Sequence, residues 1–179
     1  MTINTETIIR PVDTPQAREQ GLASRLDSFT GLGDDAATFI RILAHAPGYA
    51  EAIWDAMAEA LFEGNVDHSL KEIMRIQLAV KANDPYFSSL RSKRALEAGL
   101  TEERIAAGHG NFLDDPQFSD AEKWALDYAY RMYRTPETVD AAFYDAGKAF
   151  WSEAQIMEMG GLIAIHYGLQ TFMATLTRR

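Results

Sequence analysis

The chain has 179 residues, 47% of them hydrophobic, and a formal net charge of −9. That is enough for one compact core, too little for two full domains, and the wrong sign for gripping a phosphate backbone, which needs clustered Lys and Arg. It contains no cysteine, which excludes disulfides, thiolate metal ligands and a thiol nucleophile.

The opening stretch MTINTETIIRPVDTPQAREQ is polar and lacks the charged start and apolar run of a secretory signal, so a cytoplasmic location is expected. Residues 1–34 show little sustained periodicity and read as an N-terminal arm with one short helix, followed by the loop TGLGDD. Residues 35–179 read as one helical domain. From Asp35, DAATFIRILAHA places Phe39, Ile42 and Leu43 at helical spacing before APG interrupts it. YAEAIWDAMAEALFEG predicts a second helix with Ile53, Met57, Ala60 and Leu61 as its buried stripe and Gly64 at its C-terminal cap.

DHSLKEIMRIQLAVKAN is apolar on more than one side and predicts a central helix, with Ser69 and Glu72 at capping-box spacing. PYFSSLRSKRALEAG then predicts a single helix to Gly99, entered through Asp84 and Pro85. LTEERIAAG starts on Thr101, and SDAEKWALDYAYRMYR carries a second capping box in Ser119 and Glu122. TPETVDAAFYDAGKAF starts at Thr135 and Pro136. The last and longest helix carries Ile156, Leu162, Ile165, His166, Leu169 and Met173 at helical spacing, and Gly160 and Gly161 invite a close helix contact. Its apolar tract includes Glu158, His166 and Gln170, which argues for a core helix and against a membrane span. No stretch alternates with period two, so no strand is predicted and the class is all-α.

The run LKEIMRIQLAVKANDPYFSSLRSKRALEAGLTEERI resembles the core of the carboxymuconolactone decarboxylase and alkylhydroperoxidase D-like superfamily. Leu70 and Glu72 stand at its first motif, and Ala95, Gly99, Leu100, Thr101, Glu103 and Ile105 at its last. WALDYAYRMYRTPETVD and FWSEAQIMEMGGLIAIHYGLQTF are similar to the peroxidase-related branch, so the likeness spans about residues 36–176. It implies an oligomeric helical bundle that works without a cofactor. Where the peroxidases place Cys-x-x-Cys-x-x-x-His, this chain has Asp84, Phe87 and Arg91. The decarboxylase pair, Glu-x-x-x-His, falls on Phe87 and Arg91, and of the proton-relay set only Glu72 remains. The resemblance therefore carries the fold and withholds the chemistry.

Five residues are candidates for a site, each with a plain structural alternative. Glu72 either bonds back to the Ser69 cap or, as the resemblance implies, faces the next helix as base or proton relay; an ion pair with Arg75, one turn on, would hold it ionised. Asp84 is a helix cap or a low-pKa orienting carboxylate, and Tyr86 a buried aromatic or a hydroxyl offered to substrate. Arg91 is a fork for a substrate carboxylate, a solvated member of RSKR, or an internal partner for Asp84 or Glu72. His166 lies on an apolar stripe as a satisfied core residue or a base.

No histidine spacing supports a metal site. The expected function is cofactor-free acid/base chemistry on a small carboxylate or lactone, by decarboxylation, lactone opening or isomerisation. Catalysis would rest on Glu72 and His166, and binding on Asp84, Tyr86 and Arg91. The alternative is a non-catalytic ligand-binding or assembly homologue. The expected partners are small molecules and further copies of the chain, with neither nucleic acid nor membrane.

Overall fold

The structure, a computed structural model, describes residues 7–22, 27–30 and 37–176. The helix start at Asp35 and the loop read at 30–35, Thr30 apart, lie outside the described residues. In chain order the elements are α1 (Thr14–Ala17, running into a π turn at Arg18–Leu22), β1 (Phe29–Thr30), α2 (Thr38–Leu43), α3 (Pro47–Phe62), α4 (His68–Lys81) and α5 (Pro85–Ser89). They continue with β2 (Arg91–Ser92), α6 (Lys93–Glu97), α7 (Glu102–His109), α8 (Asp120–Arg134), a 3₁₀ turn (Pro136–Thr138), α9 (Ala141–Gly147) and α10 (Glu153–Leu176).

Helix α4 is the hub, with α5, α7, α8 and α10 packed around it. Every residue from Leu70 to Ala79 is buried, including Lys71, Glu72, Arg75 and Gln77. Its start differs from the expected Ser69 box. Asp67 is the cap and accepts from the Leu70 N–H at 3.0 Å. Ser69 is already helical, and the Glu72 carboxylate turns inward because a stronger partner, Arg75, waits there. Lys71 reaches the Glu63 carbonyl and, at 2.7 Å, Glu158 of α10. Glu158 also accepts from the N–H groups of Asn65 and Val66. Gly64 there has φ +94°, and a Cβ on it would stand 2.4 Å from the Glu158 carboxylate, so both conformation and space require glycine.

The reversal from α4 to α5 rests on Asn83, at φ +53°, a left-handed position that asparagine tolerates better than most residues. Past it the Asp84 N–H returns to the Ala79 carbonyl, and the Asp84 side chain accepts from Phe87 N–H at 2.9 Å. The single helix expected over 85–99 is broken in two. Leu90 is extended, Arg91 and Ser92 pair antiparallel with Thr30 and Phe29, and Ser92 caps the following α6. Helical propensity alone would carry the segment through. The break is held by the Glu72 carboxylate, which accepts the Ser92 N–H at 2.7 Å.

The second half follows its capping signals. Thr101 caps α7, and Ser119 and Glu122 form the reciprocal box of α8. Asp140 caps α9, where Thr135 and Pro136 start only a 3₁₀ turn. Of the glycine pair on α10, Gly160 makes the close approach, its absent Cβ lying 2.9 Å from the Tyr128 hydroxyl, while a Cβ on Gly161 would meet no other element within 4 Å among the described residues.

Two apolar clusters result. One joins α4, α7, α8 and the first half of α10. The other joins α2, α3, α5 and the end of α10, and takes in Val12, Ala17 and Leu22. Among the described residues no helix is long and apolar enough to cross a membrane.

Candidate functional site

Glu72 and Arg75 are 0% and 1% exposed and meet in a two-pronged ion pair, Nε to Oε2 at 2.7 Å and Nη2 to Oε1 at 2.8 Å. Their i, i+3 spacing on α4 puts the two on one face. Short α5 ends over them with carbonyls that have no helical partner. Arg75 fills that need, donating from Nη1 to the Phe87 carbonyl at 3.0 Å and from Nη2 to the Leu90 carbonyl at 2.7 Å. The carboxylate accepts two bonds from Arg75 and a third from the Ser92 N–H. Four of the five guanidinium N–H groups are thus used, and the fifth, on Nη1, has no partner among the described residues.

Beside Arg75 lies a narrow cavity partly open to solvent, whose atom-free space of about 310 Å³ counts that open solvent. Its walls are aromatic and aliphatic: Phe29, Phe39, Trp54, Met57, Tyr86, Phe87 and Leu90. Phe29 of β1 lies over the guanidinium, 5.4 Å from carbon to ring centre, and meets Trp54 edge-on. Phe87 packs edge-on to both Phe39 and Tyr86. The Tyr86 hydroxyl accepts the Phe39 N–H at 3.0 Å, serving a free donor in the first turn of α2.

His166 of α10 closes the cavity and is 1% exposed. Neither ring nitrogen has a hydrogen-bond partner among the described residues. Burial, with the neighbouring Arg75 charge adding, pulls the imidazole down to about 3, so at neutral pH it is an uncharged ring with one donor and one acceptor idle.

The five candidates therefore separate. Tyr86 and His166 line the cavity. Glu72 stands behind Arg75 and outside the cavity lining. Asp84 caps α5, and burial pushes its carboxyl up against the lowering effect of the Phe87 and Tyr86 N–H groups; a five-residue helix has too small a dipole to give the low value expected. Arg91 pairs with neither Asp84 nor Glu72. It forks onto Glu102 at 2.7 and 2.9 Å and donates to the Ser88 and Leu90 carbonyls, and that pairing holds Glu102 below its ordinary value. Residue spacing hinted at Arg75, through Glu72, and at Met57 on the buried stripe of α3, whereas Trp54 lay outside that stripe. Nothing in the sequence marked Phe29 as a cavity wall, since a two-residue strand leaves no pattern. Among the described residues no group of three or more His, Asp or Glu is placed to hold a metal ion.

Several solved structures share this architecture. The debrominase Bmp8, as a cysteine-to-alanine variant in complex with 2,3,4-tribromopyrrole, superposes with a TM-score of 0.73 at 19% identity, over 98% of this chain and 91% of that one. An uncharacterized peroxidase-related protein from Silicibacter sp. TM1040 gives 0.73 at 11% identity, over 97% and 93%. An uncharacterized peroxidase-related protein from Ralstonia eutropha JMP134, described as an alkylhydroperoxidase AhpD core, gives 0.68 at 14% identity, over 94% and 90%. No family profile and no curated protein matches the chain. The chain has the alkylhydroperoxidase D-like fold, as its motif frame implied, and no cysteine within it.

Two outcomes test the site's energetics. Replacing Glu72 by Leu, or Arg75 by Met, strands a buried charge and costs about 3–5 kcal/mol; the double variant is less destabilised than the sum, by about 2–3 kcal/mol in urea unfolding, and strict additivity would remove the coupling. His166 folds with its pKa below the unfolded value of 6.5, so the unfolded chain takes up the extra proton first. The stability this provides is full above pH 6.5 and is lost as pH falls toward 3. His166→Phe should therefore lose about 2 kcal/mol less than the parent between pH 7 and pH 5, read by urea midpoints at both.

Proposed function

We propose that the protein binds a small, mostly apolar organic molecule in the cavity between α2, α3, α5 and α10, using neither thiol nor cofactor. The observation that carries this is His166, a buried imidazole with both nitrogens idle at the edge of an apolar cavity. Buried polar groups are almost always satisfied, and one that is not marks a place where something else belongs. The bound tribromopyrrole of the debrominase supports small-molecule binding on this fold. Catalysis, if the site turns over its ligand, falls to His166, with Tyr86 in the wall and Glu72 acting only through Arg75. An acidic substrate has less support than the sequence suggested, because Arg91 is engaged by Glu102 and Arg75 by Glu72.

A ligand that binds only the folded state raises stability by about 2.7 kcal/mol at a hundredfold excess over its Kd. A thermal-shift screen of single-ring aromatic compounds should give hits that Trp54→Ala or Met57→Ala weakens; hits untouched by both variants would place binding elsewhere.

Self-association is part of the same proposal. Met157, Tyr167 and Phe172 stand exposed on α10, an apolar face that association would cover. Sedimentation at micromolar concentration should show more than a monomer, and a monomer alone would remove this part.

A further inference from the structure

Outside the cavity lining, one ionisable side chain ties three elements together. His68 is the first residue of α4, directly after its Asp67 cap, and both of its ring nitrogens are engaged. Nδ1 lies 2.8 Å from the carbonyl of Leu61, one of the last carbonyls of α3, which have no partner inside that helix. Nε2 lies 2.8 Å from Oγ of Ser92, the residue that ends β2 and caps α6. The ring also packs against Phe62, with centroids 5.2 Å apart. Ser92 is 0% exposed, so the pair is no accessible nucleophile and base.

These partners fix the proton on the ring. A carbonyl only accepts, so Nδ1 carries the hydrogen and donates it to Leu61. Nε2 is then bare and accepts the Ser92 hydroxyl proton, while Ser92 Oγ accepts the Ala95 N–H at 3.4 Å. A second proton on the ring reverses the contact. Nε2 becomes a donor, and Oγ has to accept from both Nε2 and Ala95. The Ser92 hydroxyl proton loses the one acceptor it has among the described residues, at a buried position.

Burial is the largest influence on the ring and lowers its pKa; the Leu61 carbonyl and Glu72 of α4 raise it, and Arg94 of α6 and Lys71 of α4 lower it. From α3 the ring meets the Leu61 carbonyl and the Phe62 side chain. The balance holds the imidazole below its ordinary 6.5. A released ring therefore takes up a proton before a bound one, and release is coupled to proton uptake.

We infer that His68 is a pH-sensitive latch, fastening the β2–α6 segment to the end of α3 when neutral and letting that segment open when protonated. The latch is at full strength above pH 6.5 and weakens as pH falls through the lower value of the bound ring. Ser92 pairs with Phe29, a wall of the cavity, so opening loosens that wall as well. The latch itself does not depend on what the cavity holds.

Amide hydrogen exchange at Ser92, Lys93 and Ala95 of the full chain tests it, corrected for the intrinsic pH dependence of exchange. Opening should be level above pH 6.5 and rise below it, approaching about tenfold per pH unit, the limit for one proton per opening. His68→Phe, which keeps a ring against Phe62, should open more than the parent above pH 6.5 and show no rise below it. Should that variant not fold, ¹⁵N spectra of the parent still decide the matter: the neutral His68 should carry its proton on Nδ1, and opening should follow the titration of that ring. The opposite tautomer, opening in the parent that is level with pH, or a rise that survives in His68→Phe would each overturn the latch.

Discussion

The architecture around the cavity depends on one buried ion pair. Glu72 and Arg75 lie on the inner face of the central helix, where a single charge without its partner would be costly. Together they satisfy each other and then serve the backbone: Arg75 takes the carbonyls of Phe87 and Leu90, and Glu72 takes the N–H of Ser92. The pair is a strut that fastens the 85–92 segment to α4. Such pairs add little to stability over well-packed apolar residues, yet removing one partner is costly. What the strut contributes is a defined path for the chain, at the point where a helix would otherwise run on.

That path produces the cavity. Stopping α5 at Ser89 turns Tyr86 and Phe87 toward α2 and α3, and the short pairing of Arg91–Ser92 with Phe29–Thr30 brings Phe29 over the guanidinium. The same pairing explains why the site is electrically quiet. Arg91, displaced outward, finds Glu102, and the cation left at the cavity wall is already neutralised from behind. Here Asp84 caps α5, and His166 is among the residues that line the cavity.

Much of this was legible in local signals. The central helix, the caps on Thr101 and on Ser119 with Glu122, and the stripe on α10 follow from spacing that short-range hydrogen bonding and burial enforce. The Glu72–Arg75 contact followed from i, i+3 geometry. Ser69 misled, because a capping box read from spacing takes no account of a competitor. Asp67 took the cap and Arg75 took the glutamate. The run 85–99 misled for a related reason, since good helix formers were overruled by hydrogen bonds from residues twenty positions away.

By itself, then, the sequence determined the class of fold, the order of most helices, the caps at Asp84, Thr101 and Ser119, and the absence of thiol chemistry, because these depend on residue type and neighbours along the chain. Tertiary structure alone decided which charged groups meet. Arg91 and Arg75 are both arginines near carboxylates in the sequence, and only the packing of α5 and β2 against α4 sends one outward to Glu102 and the other inward to Glu72. It also decided that His166 faces a cavity with no hydrogen-bond partner among the described residues. A histidine on an apolar stripe looks the same in sequence whether its partner is present or missing, and that difference is set by contacts between distant parts of the chain.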